Sequence, residues 1–107
     1  MAAPSVRAVG TSVFGTAGTV TPTMPTHATN DILVMIVASS ANASTTPTHS
    51  TPSGYTLVGT AENTTGTTRA KITVWYKRAT SGSETAQSCT VTPTGSTACH
   101  HFAVHSS

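Results

Sequence analysis

The chain has 107 residues, a net charge of +2 and only 7% charged residues, against about a quarter in ordinary soluble proteins. Arg7, Arg69, Lys71, Lys77 and Arg78, scattered against Asp31, Glu62 and Glu84, form no basic footprint for a phosphate backbone and argue against nucleic-acid binding. Thr (24) and Ser (13) make up about a third of the chain, which disfavours long helices, because Thr loses χ1 freedom there and fits a pleated surface better.

In chain order, Met1 to Arg7 contains no apolar run, so no secretory signal is expected. Short strands are predicted at Val6–Val9, Thr11–Gly15 and Thr19–Thr21, with Gly15 and Gly18 as breakers. Pro22 and Pro25 make the next segment, to Ala28, an extended cap on one end of the core.

The run Ile32-Leu33-Val34-Met35-Ile36-Val37-Ala38 follows a turn at Asn30-Asp31. It is too short to cross a bilayer, which needs about 20 residues in a helix. Its β-branched residues make it a strand with two apolar faces, central in a sheet, with Val34 and Ile36 expected in the core. Ser39 to Ser53 reads as the longest loop, a length that points to a contact surface. Thr51–Gly54 turns into a strand at Tyr55–Thr60, in which Tyr55 and Leu57 share a face.

A polar loop, Glu62–Thr68, precedes a strand from Arg69 to Lys77. Alternation there sorts Ile72, Val74 and Tyr76 to the core side, and Lys71, Thr73, Trp75 and Lys77 to the polar side. Trp75 is then either a plug between sheets or a contact residue. A turn at Ala79–Glu84, a strand at Ala86–Thr92, a turn at Pro93–Gly95 and a last strand from Thr97 to His105 complete the chain without a tail. Seven or eight short strands with near-regular turns predict one all-β domain over 1–107, an antiparallel β-sandwich of jelly-roll-like type.

Candidate chemistry is sparse. His27, His49, His100, His101 and His105 are the only groups suited to acid–base or metal work. On the last strand Cys99, His101 and His105 fall on one face, but His101 and His105 are roughly 13 Å apart along a strand, too far for one ion. No metal, cofactor or catalytic residue is assigned. A hydrolase lacks both the G-x-S-x-G elbow and acids to orient a histidine beyond Asp31, Glu62 and Glu84. Cys89 and Cys99 are symmetric about Thr94, and a regular hairpin would set them opposite each other within disulfide range.

Four pieces taken together resemble a known family: Thr29-Asn30-Asp31-Ile32-Leu33-Val34, Pro52-Ser53-Gly54-Tyr55-Thr56-Leu57-Val58, Val74-Trp75-Tyr76-Lys77-Arg78-Ala79-Thr80 and Gly82-Ser83-Glu84-Thr85. Their order and spacing, over most of Thr21 to Val91, are similar to those of small β-sandwich structural modules of tailed bacteriophages. The chain departs from that pattern with Tyr55 where Trp is frequent and with a His-rich end. The resemblance implies a non-enzymatic virion protein with no catalytic residues to carry over. It implies a capsid decoration (cement) protein on the capsid surface, assembled in the host cytoplasm. Its partners would be the major capsid protein and copies of itself, as a homotrimer, with no nucleic acid and no membrane. The alternative is a tail or fibre module that binds a host-surface glycan. A cytoplasmic origin favours reduced, packed thiols at Cys89 and Cys99, with a disulfide left open for released particles.

Overall fold

The computed structural model of the chain describes residues 3–15, 18–41, 45–92 and 96–105, with 96–100, 102 and 103 described by backbone alone. These residues form nine strands: β1 (Ser5–Val9), β2 (Val13–Gly15), β3 (Thr19–Val20), β4 (Ile32–Ala41), β5 (Thr48–His49), β6 (Thr56–Glu62), β7 (Arg69–Arg78), β8 (Cys89–Thr92) and β9 (Ser96–His105). Among the described residues there is no helix.

Two antiparallel sheets make a β-sandwich. The large sheet runs β1-β9-β4-β7-β6, with β2 also paired to β9, and the small sheet runs β3-β8-β5. The nested pairs β1–β9, β4–β7 and β3–β8 give the wrapped strand order of a jelly roll, except that β6 stays beside β7 in the large sheet. The apolar run lies at the centre, as expected of a strand with no polar face. All ten residues of β4 pair with β7, from Ile32↔Arg78 to Ala41↔Arg69, and nine of them also pair with β9.

The entry to β4 is fixed locally. Asn30 takes a left-handed φ of 73°, a conformation its short polar side chain tolerates. The N–H of Asp31 donates to the Ala28 carbonyl at 3.1 Å, and Asn30 and Asp31 exchange backbone hydrogen bonds with Ala79. Gly54, at φ 83°, turns the chain into β6. Pro22, Pro25 and His27 are buried along the extended segment at the end of the core, and Met24 packs against it.

The core lies between the sheets. Leu33, Met35 and Val37 are fully buried there with Trp75, Ala79 and Tyr55 of the large-sheet side, against Val20, Cys89 and Val91 from the small sheet. This reverses the expected parity of β4: Val34 and Ile36 are only half-buried and face away from the small sheet. The same reversal holds on β7. Thr73 and Trp75 are 2% and 1% exposed, whereas Ile72 and Tyr76 are 41% and 42% exposed. Trp75 is therefore the plug between the sheets and not a contact residue. Leu57 does share the inward side with its register partner Trp75, but it lies beyond the reach of the small sheet and is exposed.

Two further expectations change. β8 and β9 do not form a hairpin: β8 pairs with β3 and β5, and β9 with β1, β2 and β4. Cys99 is in register with Val13 and Val37 and not with Cys89. The expected turn at Pro93–Gly95 lies outside the described residues. The Ser39–Ser53 segment is shorter as a loop than expected, because β4 continues to Ala41 and β5 occupies Thr48–His49.

Candidate functional site

Polar side chains gather at three places inside or beside the sandwich. At the first, Asp31 is fully buried and accepts hydrogen bonds from Arg7 Nε at 2.6 Å and from the Ala28 N–H at 2.9 Å. His105 Nδ1 stands 3.0 Å from Asp31 Oδ1 and 2.7 Å from Arg7 Nη2. The guanidinium, helped by the Ala28 N–H and His105, holds the Asp31 carboxyl well below the usual carboxylate range. The cluster ties β1 and the end of β9 to the start of β4.

The second cluster sits between the sheets. His49 of β5 bridges Ser39 Oγ on β4, through Nε2, and Thr73 Oγ1 on β7, through Nδ1 at 2.7 Å. Its ring is tilted at 53° to that of Trp75, with centroids 6.4 Å apart. A serine touching a histidine is the beginning of a nucleophilic site. Here the third position holds a neutral hydroxyl, which cannot stabilise an imidazolium as a carboxylate does. Burial, with a push from Lys71, pulls the His49 ring down to about 4, which makes it a poor base at neutral pH. Ser39 itself is only 5% exposed, and the depression it helps to line is a 420 Å³ hollow shared with Lys71 and Ile72. These geometries make it a polar strut joining the two sheets.

The third cluster is Tyr55 and His101. The rings stack at 9° with centroids 5.7 Å apart, and Tyr55 Oη lies 3.3 Å from His101 Nε2. Burial draws His101 down to about 4, opposed by the Thr23 backbone, and pushes Tyr55 up to about 12. His101 Nδ1 and Trp75 Nε1 make no hydrogen bond of ordinary geometry although both are buried. Separately, His27 donates from Nδ1 to the Pro25 carbonyl at 2.8 Å and accepts the Glu84 N–H at Nε2. Glu84, drawn down to about 2 by the Thr80 N–H, Lys77 and the Thr80 hydroxyl, closes that turn.

Histidines that sequence alone could treat as one chemical set are thus distributed to separate structural duties. His27, His49, His101 and His105 each meet different partners, and among the described residues no three metal-binding side chains converge. The side chains of His100 and Cys99 lie outside the description. Cys89 is a buried free thiol whose pKa burial raises. The paired cations behave as solvated strand ends: Lys71 meets Glu62 at 3.6 Å and Lys77 meets Glu84 at 2.9 Å.

What remains is a surface. On the outer side of the large sheet, Ile32, Val34, Ile36 and Ala38 of β4 lie in register with Arg78, Tyr76, Val74 and Ile72 of β7. Register partners in an antiparallel pair point to the same side. By that rule Val6 (partner Val104), Val9 (partner Phe102) and Phe14 (partner Ala98) extend the same face across β9, whose positions 104, 102, 100 (a histidine) and 98 pair with Ile32, Val34, Ile36 and Ala38. Five of the seven exposed large hydrophobic residues, Val6, Val9, Phe14, Ile72 and Tyr76, therefore lie on this one face. The other two, Leu57 and Val58, lie on β6. Among the described residues its one formal charge is Arg78, at the margin, where the guanidinium donates to the Asn30 carbonyl at 3.2 Å. Sequence reading missed this face because it placed Val34, Ile36, Ile72, Val74 and Tyr76 in the core.

No protein-family model, curated protein or solved structure matches this chain.

Proposed function

We propose that the chain is a non-enzymatic structural protein of a phage virion, and within that class a capsid decoration protein. It would bridge neighbouring copies of the major capsid protein, as a trimer of itself, on a capsid assembled in the host cytoplasm. The sequence resemblance supplies the setting. The carrying observation from the fold is the outer face of the large sheet, largely apolar, with Arg78 at its edge as the one formal charge among the described side chains. A monomer rarely exposes a contiguous apolar patch larger than a few hundred Å², so a chain built this way suits life inside an assembly.

The polar clusters support the same reading, since each joins strands and none presents a nucleophile, base and acid to solvent. The glycan-binding alternative needs an aromatic platform with convergent polar groups in one concavity. Trp75 and Tyr55 are in the core. The exposed aromatics, Phe14 and Tyr76, are on β2 and β7, which β9 and β4 separate in the sheet, roughly 14 Å at about 4.8 Å per strand.

The test is a phage particle lacking this protein. Such particles should assemble and adsorb normally but lose resistance to heat or to chelation. Normal heat resistance with lost adsorption would replace decoration by the tail module.

A further inference from the structure

We infer that the outer face of the large sheet is a self-association surface, and that its occupant is the same face of another copy of this chain. The inference shares with the virion reading only the expectation of self-association, and it holds without the phage assignment.

Area comes first. β4, β7 and β9 each run ten residues, and five strands lie side by side. At about 3.3 Å per residue and 4.8 Å per strand the face spans about 600–800 Å², allowing for the shorter β1 and β6. A standard stable interface takes about 800 Å² from each partner, so this one face is enough. Composition comes second, and it mixes aliphatic residues with Phe14 and Tyr76, with position 100, a histidine, in register with Ile36. A foreign partner chosen by charge would be met by a charged pattern, whereas the described side chains of this face carry one formal charge, Arg78 at the rim. Two copies each carrying +2 repel weakly, and low net charge favours association. Shape comes third. The face sets large residues against small ones at one end, Ile36 beside Ala38, and Ile72 beside Ala38, Ala70 and Ala61. Sheets of that texture interdigitate when stacked about 10 Å apart.

Sedimentation of the purified full chain, from nanomolar to high micromolar, tests the inference together with the double variant Ile72→Lys, Tyr76→Lys. Both residues are already about two-fifths exposed, so the fold should tolerate lysine there in the monomer. The wild type should sediment as a dimer, since a face closed on its own copy makes a two-fold contact, and the double variant as a monomer with an unchanged strand signature in circular dichroism. Its self-association should weaken by at least about 100-fold, since two unpaired ammonium groups would be buried per copy. Leu57→Lys, an equally exposed change on the inward side, should leave the oligomer intact. If the double variant fails to fold, Phe14→Lys, at a residue 72% exposed on the same face, carries the same expectation. A wild type monomeric throughout, or an oligomer that survives these face substitutions, overturns the inference. A monomer that still binds capsids defeats this inference and spares the virion reading. A face-dependent oligomer that never joins particles does the reverse.

Discussion

The two faces of β4 invert the usual relation between polarity and burial. The inward face carries Leu33, Met35 and Val37 but shares its space with Ser39, Thr73, His101 and the indole N–H of Trp75, all buried. The outward face carries Ile32, Val34 and Ile36 with Val74 and Ile72, and it is half-open. Hydrophobicity alone would have put the second set inside. What decides is the small sheet: whichever side its strands cover becomes the core, where Ser39, His49 and Thr73 pair with one another while His101 Nδ1 and Trp75 Nε1 make no hydrogen bond of ordinary geometry. The uncovered apolar side is the face proposed above to meet another copy.

The sharpest way to break this comparison is a buried charge on each side. Leu33→Asp should abolish folding, because an unpaired carboxylate in the core costs several kcal/mol. Val34→Asp, which sequence reasoning alone expects to be equally fatal, should instead yield a cooperatively melting monomer. Unfolded Val34→Asp protein beside folded Leu33→Asp protein would invert the assignment of faces.

Acid separates the faces next. His49 and His101, both on the inner side, titrate near 6.5 when unfolded and near 4 when folded. Between those values the unfolded chain binds more protons than the folded one, so stability is complete above about pH 6.5 and falls as the pH drops towards 4. For the fully buried His101 the loss is on the order of 3 kcal/mol. Below that range Asp31 and Glu84, whose folded pKa values are depressed, add a further loss as they are protonated. Urea melts at pH 7, 5.5 and 4.5 read this directly, and a stability that stays flat over that range would contradict the neutral, buried imidazoles.

Smaller effects sharpen the contrast. Val37→Thr puts a hydroxyl among Leu33, Met35 and Trp75 and should cost about 1–3 kcal/mol. The same change at half-exposed Val34 should cost under about 1 kcal/mol in the monomer. On the inner side, Thr73→Val keeps the side-chain shape but removes the His49 Nδ1 partner, and should cost about 1 kcal/mol in a denaturant melt.

Much of the fold was legible from residues alone. Asn30-Asp31 announced its turn, the run after it announced a central strand, and Gly54 and Gly66 sit at positive φ where turns were expected. The choice of inner face was not legible, for a physical reason. Alternation on β7 fixes that Ile72, Val74 and Tyr76 share a side, but not which side meets the other sheet. Lys71 and Lys77 made the opposite side look wet, yet they lie towards the ends of β7, where they reach Glu62 and Glu84, while Thr73 and Trp75 between them lie under the small sheet. Strands of two to four residues cover only the middle of a ten-residue partner, and no local pattern reports that coverage. The histidine clusters were hidden for the same reason, since each joins residues brought together only by sheet pairing.

The place of β9 has a kinetic consequence. It lies between β1 and β4, with Ser5 opposite His105 and Ile32 opposite Val104, so the middle of the large sheet is completed by pairings that span nearly the whole sequence. Such non-local topologies fold in milliseconds to seconds. During synthesis from the N-terminus, β4 can pair with β7 on one edge while its other edge stays open. A long apolar strand with an unpaired edge is a template for intermolecular pairing. Insertion of β9 removes that hazard, and the yield of native protein should depend on how quickly it follows the emergence of β4.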